Sequence, residues 1–182
     1  AASLDTPVTL ATAATAASPV GTYPVTASAA ADANYDITFA EGVLAVTRAA
    51  LTVKADDKSK VYGAELPVFT ATYTGFVNGD TAAELDTPVA LATTATAASP
   101  AGTYPITASA AADANYDIAF AEGTLTVTKA ALTVKADDKS KVYGALLPVL
   151  TATYTGFVNG DTAAELDTPV ALATTATAAS PA

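Results

Sequence analysis

The chain has no cysteine, no histidine, no methionine and no tryptophan among its 182 residues, and glutamine is missing too. Without cysteine, neither a disulfide nor a thiolate metal site can form. Without histidine, the commonest general base and the commonest transition-metal ligand are both gone. A chain free of oxidisable sulfur tolerates life outside the cell. Positive charge is scarce as well: 8 Lys and Arg stand against 18 Asp and Glu, a net charge of −10. Phosphate binding needs clustered cations, so this balance argues against a nucleic-acid partner and reads as a solubility device. No run approaches the roughly 18 apolar residues of a spanning helix. No basic segment opens the chain as a signal peptide would. No membrane insertion is expected in this segment, and any export signal or anchor is expected to lie outside it.

What the sequence does have is alanine and a repeat. Hydrophobic residues make up 51% of it, but many are alanine, so any core must be small and repeated. Leu51 opens LTVKADDKSKVYGAELPVF and Leu132 opens LTVKADDKSKVYGALLPVL, an offset of 81 residues. Residues 51–101 and 132–182 differ only at Glu65/Leu146 and Phe69/Leu150, and residues 1–50 match 82–131 at 41 of 50 positions. A period of this length is too long for a solenoid turn and fits a small domain strung as beads. The chain thus divides into 1–50, the C-terminal part of a first repeat; 51–131, a complete repeat; and 132–182, the N-terminal part of a third.

Within the complete copy the pattern alternates as strands do. Tyr104, Ile106, Ala108 and Ala110 fall on one face, as do Tyr116, Ile118 and Phe120, and then Leu125 and Val127 between threonines. The connection Ala121-Glu122-Gly123 predicts a hairpin between the last two strands. Thr81-x-x-Glu84 is a capping box that predicts a short helix, limited to about two turns by Pro88. The expected class is all-β with one short helix per repeat: tandem small β-sandwich or β-grasp-like domains arranged as a rod. Each bead should add roughly 30–40 Å, judged from the compact size of a domain this long.

Lys60-Val61-Tyr62-Gly63, Leu66-Pro67 and Tyr73-Thr74-Gly75-Phe76-Val77-Asn78-Gly79-Asp80 lead on to Gly102-Thr103-Tyr104 and Asn115-Tyr116-Asp117-Ile118. With the closing Gly123-Thr124-Leu125-Thr126-Val127, this run resembles the MBG domain of the YGX type. The resemblance spans essentially the whole period and recurs at Tyr143-Gly144. It implies an extracellular β module in stalk-like arrays of bacterial surface and secreted proteins, adhesins among them. It implies no catalytic residues and no cofactor. The residues themselves suggest structural work: Gly63, Gly75 and Gly79 for positive φ, and Tyr62, Tyr73, Tyr104 and Tyr116 for buried area that alanine cannot supply.

Candidate chemistry is thin. Asp113, Asn115 and Asp117, repeated as Asp32, Asn34 and Asp36, have the D-x-N-x-D opening of a calcium loop. The sixth position is Ile118 instead of Gly and the twelfth is Gly123 instead of Glu, so a turn followed by a strand is the preferred reading. Asp56-Asp57 lies among Lys54, Lys58 and Lys60 as a solvated turn, without the burial that would split two carboxylates into an acid and a base. A Lys–Asn or Lys–Asp isopeptide crosslink is chemically available, but sequence cannot bring such a pair into contact. The threonine rows Thr70, Thr72, Thr74 and Thr124, Thr126, Thr128 suit half-exposed strands better than ice binding or glycosylation.

The junctions Val46-Thr47-Arg48-Ala49-Ala50-Leu51 and Val127-Thr128-Lys129-Ala130-Ala131-Leu132 contain no Gly or Pro, unlike flexible linkers. The expected function is therefore a spacer: a structural segment of a bacterial extracellular stalk or fibre, with no enzymatic role. The expected partners are neighbouring repeats of the same chain, or identical chains joined head to tail by strand addition; a host or matrix ligand is undefined. A sequence window on a longer chain is preferred over such polymerisation. The rival is a multivalent binding module recognising glycan or protein, which calls for an exposed aromatic, with Phe76 and Tyr143 the positions to inspect.

Overall fold

A computed structural model describes residues 4–180, nearly all of whose regular structure is strand. The first copy contributes β1 (Thr9–Thr12), β2 (Gly21–Ser28) and β3 (Gly42–Val46), an antiparallel sheet in the order β1-β2-β3. Next come β4 (Ala49–Ala55), β5 (Lys58–Val61), β6 (Ala71–Thr74) and β7 (Ala90–Thr93). The complete copy closes with β8 (Gly102–Ser109), β9 (Tyr116–Ala121) and β10 (Gly123–Thr128). The third copy adds the antiparallel pair β11 (Thr133–Ala136) and β12 (Ala152–Thr155). The complete copy builds two sheets, β5-β10-β8-β7 and β6-β4-β9. The all-β class expected from the alternation is what the chain adopts.

The chain divides into two compact units. Among the described residues, one gathers 4–56 with Phe69–Ala92 and Ile106–Gly123; the other gathers Asp57–Val68, Thr93–Pro105 and 124–180.

Alternation decides which faces are buried. β4 buries Leu51, Val53 and Ala55 while Thr52 and Lys54 face out, and β10 buries Leu125 and Val127 between exposed threonines. β4 is the hub of its sheet, antiparallel to β6 and parallel to β9, with Ala49 opposite Tyr116 and Val53 opposite Phe120. A core of Leu51, Val53, Leu85, Ala111 and Tyr116 follows, flanked by Tyr73, Phe76 and Ile118. Phe76 stacks on Tyr73 with ring centroids 5.6 Å apart and meets Tyr116 edge-on at 5.5 Å. Three aromatic rings thus supply the volume that alanine-rich strands cannot.

β9 and β10 do not form the hairpin that Ala121-Glu122-Gly123 suggests. β9 joins β4 in one sheet and β10 joins β5 in the other, so the chain changes sheet across Glu122. Gly123 serves close approach here: a Cβ on it would sit 2.4 Å from the Ala55 carbonyl oxygen. The expected helix shrinks too. The segment after Thr81 is a turn in the complete copy, and a single 3-10 turn, Ala163–Glu165, in the third. The capping box is still made, with the Thr81 amide and hydroxyl each donating to Glu84 Oε2 at 2.7 Å. Leu85 is then drawn into the core, and Pro88 follows three residues on, so nothing extends the turn into a helix. Of the four tyrosines expected inside, only Tyr116 is fully buried; Tyr62, Tyr73 and Tyr104 are half-buried, and Phe120 is exposed on edge strand β9.

Candidate functional site

The D-x-N-x-D residues are placed by hydrogen bonds that leave no cation cage. Asp113 Oδ1 accepts from the Asn115 amide at 2.7 Å, a short Asx turn. Asp117 then sits exposed on β9, beside the inward Tyr116. In the first copy Asp32 Oδ1 accepts from the Asn34 amide at 2.8 Å, and Asp36 is exposed outside any strand. Among the described residues, no group of three or more His, Cys, Asp or Glu is placed to hold a metal ion.

The other acidic pair braces strands. Asp56 accepts from the hydroxyls of Thr70 and Thr72, and Asp57 Oδ1 accepts from the Thr124 amide at 2.7 Å. In the third copy the hydroxyls of Thr151 and Thr153 hold the Asp137 carboxyl below its ordinary range. The hydroxyl and amide of Thr81 do the same for Glu84. Asp137 and Glu84 are thus stabilised as anions, which is the opposite of what a general acid needs.

Of the D-x-N-x-D motif residues, Asn115 instead joins copies. Asn115 Oδ1 accepts from the amide of Val20 in the first copy at 3.0 Å, and its carbonyl accepts from Ala49 at 2.9 Å. Arg48, in the junction, donates through Nε to the Ala114 carbonyl at 3.2 Å. Beside this seam lies Tyr116, whose hydroxyl donates to Asp80 Oδ2 at 2.6 Å and accepts from the Val77 amide at 3.1 Å. Burial, and then the bond to Asp80, raise the Tyr116 phenol above its ordinary value.

A second seam lies between the complete copy and the third. The Tyr62 hydroxyl donates to Asp161 Oδ2 at 3.0 Å. Next to it Gly63, with φ of +82°, faces Val158 so closely that a Cβ would meet that side chain at 2.6 Å. The turn carrying these two residues is fixed from beneath by Lys60, which is only 7% exposed. Its Nζ donates to the carbonyls of Ala64 at 3.0 Å and Ala97 at 2.8 Å, satisfying a buried cation with backbone oxygens. Sequence reasoning gave Gly63 a backbone role alone and missed Lys60 and Tyr62 as seam residues. The available signal was a large aromatic set on a turn beside a glycine, kept unchanged at Tyr143-Gly144.

The family model for the MBG domain (YGX type) matches residues 2–45, 51–126 and 132–182. No curated protein and no solved structure matches the chain.

Proposed function

The chain belongs to the MBG domain family of the YGX type, and on that premise we propose that it is a spacer, a length-giving segment of a bacterial extracellular stalk or fibre. The MBG domain is a repeat module of surface proteins. Among the described residues no helix is long and apolar enough to cross a membrane. The observation that carries the reading is the pair of seams. At each one a side chain bonds across the boundary: Asn115 accepts from the Val20 amide and Arg48 donates to the Ala114 carbonyl, and then Tyr62 donates to Asp161. Joints held by side chains as well as by the covalent link suit a part whose job is to keep distance. Near-identity of the copies supports the same reading, because a spacer needs a number of units rather than distinct sites.

The carboxylates support a non-enzymatic role, since Asp56, Asp57, Asp80, Glu84 and Asp113 are all engaged in bracing the fold. The rival, a multivalent binding module, would present aromatic rings to solvent. In the complete copy every tyrosine and phenylalanine except Phe120 is at least half-buried. Phe76, one of the two positions to inspect, packs against Tyr73 and Tyr116. The test is a glycan and matrix-protein array probed with the chain. The spacer reading expects no saturable binding, and saturable binding to a defined ligand would replace it with the rival.

A further inference from the structure

The Tyr-Gly pair has a preformed shape that fits one kind of partner, and we propose that it is the latch by which each copy grips the next. It rests on the spacer reading only in taking copies to be chained in series. Three residues divide the work. Lys60 pins the turn from below, Tyr62 reaches across to Asp161, and the missing side chain of Gly63 leaves the hollow that Val158 fills. The backbone completes it: the Tyr62 amide donates to Thr128 at 2.8 Å and the Gly63 amide to Ala97 at 3.2 Å.

The same turn recurs in the third copy, where it faces solvent. Lys141 Nζ donates to Ala178 at 3.1 Å, the Gly144 amide to the same carbonyl at 3.2 Å, and the Ala145 amide to Val142 at 3.0 Å. Tyr143, however, is 68% exposed, and apart from Gly144 itself and its chain neighbours nothing lies within 4 Å of where a Gly144 Cβ would stand. The turn is therefore built before anything docks on it. Its occupant is the Val-Asn-Gly-Asp turn of a following copy, the segment represented by Val158-Asn159-Gly160-Asp161. That turn is closed by its own backbone, with Asn159 at φ 55°, Gly160 at φ 85° and the Asp161 amide donating to Val158 at 2.9 Å.

The receiving carboxylate has a second duty. In the complete copy the equivalent Asp80 accepts from its own copy's Tyr116 through Oδ2. A copy with neighbours on both sides thus gathers two tyrosine hydroxyls on one carboxylate: one from its own core strand, one from the latch of the copy before. The latch is thereby wired to the buried core of the copy it grips.

The repeat supplies its own control. Tyr62→Phe and Tyr143→Phe make the same change on the same turn, but only the first removes a bond to a following copy. In this 182-residue chain, Tyr62→Phe should raise amide hydrogen exchange across residues 157–165 roughly tenfold, the equivalent of one hydrogen bond to a charged acceptor. Tyr143→Phe should leave that segment unchanged. Gly63→Ala and Gly144→Ala carry the same backbone strain, so any further loss in the first reports the contact with Val158. Equal exchange in the two Tyr→Phe variants, or equal destabilisation in the two Gly→Ala variants, overturns the latch. Failure of the spacer reading would show separately, as saturable ligand binding, whichever way these comparisons fall.

Discussion

Tyr35 and Tyr116 occupy the same place in the repeat, 81 residues apart, yet Tyr35 is 67% exposed and Tyr116 only 4%. The letters around them are nearly the same, YDITFA against YDIAFA. Tyr116 begins β9, which lies parallel to β4 and is held by it. The described part of the first copy has no strand of the β4 type, and residues 35–40 take up no strand there. Burial of this tyrosine is thus a property of the assembled repeat, and local sequence does not decide it. Mild nitration should modify Tyr35 and the exposed Tyr143 and spare Tyr116, as peptide mass mapping would report. Equal modification of Tyr35 and Tyr116 would contradict the packing described.

Tyr116 also sets an alkaline limit. Its phenol is raised above the ordinary value of 10.0, first by burial and then by the Asp80 hydrogen bond. The folded state holds this proton more tightly than the unfolded chain does. The stability it brings is complete below pH 10 and is lost as the pH rises through the folded value. Denaturant unfolding of the wild-type chain should weaken above pH 10. Tyr116→Phe should be less stable at neutral pH and show a flatter alkaline decline.

Three glycines should separate backbone strain from crowding. Gly79 has φ +84° with nothing within 4 Å of where a Cβ would stand, so Gly79→Ala meets only the left-handed penalty, about 1 kcal/mol. Gly123 has no positive φ, but a Cβ there meets the Ala55 carbonyl oxygen at 2.4 Å. Gly75 combines both faults, with φ +116° and a Cβ 2.3 Å from the Ala50 oxygen. Thermal or denaturant melts should rank Gly79→Ala mildest, with the other two costing about 3 kcal/mol or more. A harmless Gly123→Ala would contradict the sheet crossing at Glu122.

Much of this architecture was legible in the letters. The period, the all-β class and the inward faces of β4, β8 and β10 follow from alternation and self-comparison. What was not legible depended on long-range pairing. Ala121-Glu122-Gly123 has the length of a hairpin loop, and only the parallel partner β4 shows that β9 belongs to another sheet. Thr81 and Glu84 make their capping box, but the demand of the core for Leu85 ends the helix that the box announces. The seam residues were the hardest to read. Tyr62 and Asp161 stand 99 positions apart, and no local pattern links them. Asn115 belonged to a motif that suggests calcium, while its side chain is spent on the Val20 amide.

The spacer account depends on joints that hold their angle, and a distance measured across the seam between the complete and third copies tests that directly. The chain has no cysteine, so Thr126→Cys and Thr155→Cys, both on exposed strand positions, give two unique sites for spin labels. Pulsed dipolar spectroscopy should then return one narrow distance distribution that broadens when Tyr62→Phe is introduced. A broad distribution in the otherwise unaltered chain, of the kind flexible linkers give, would contradict the account.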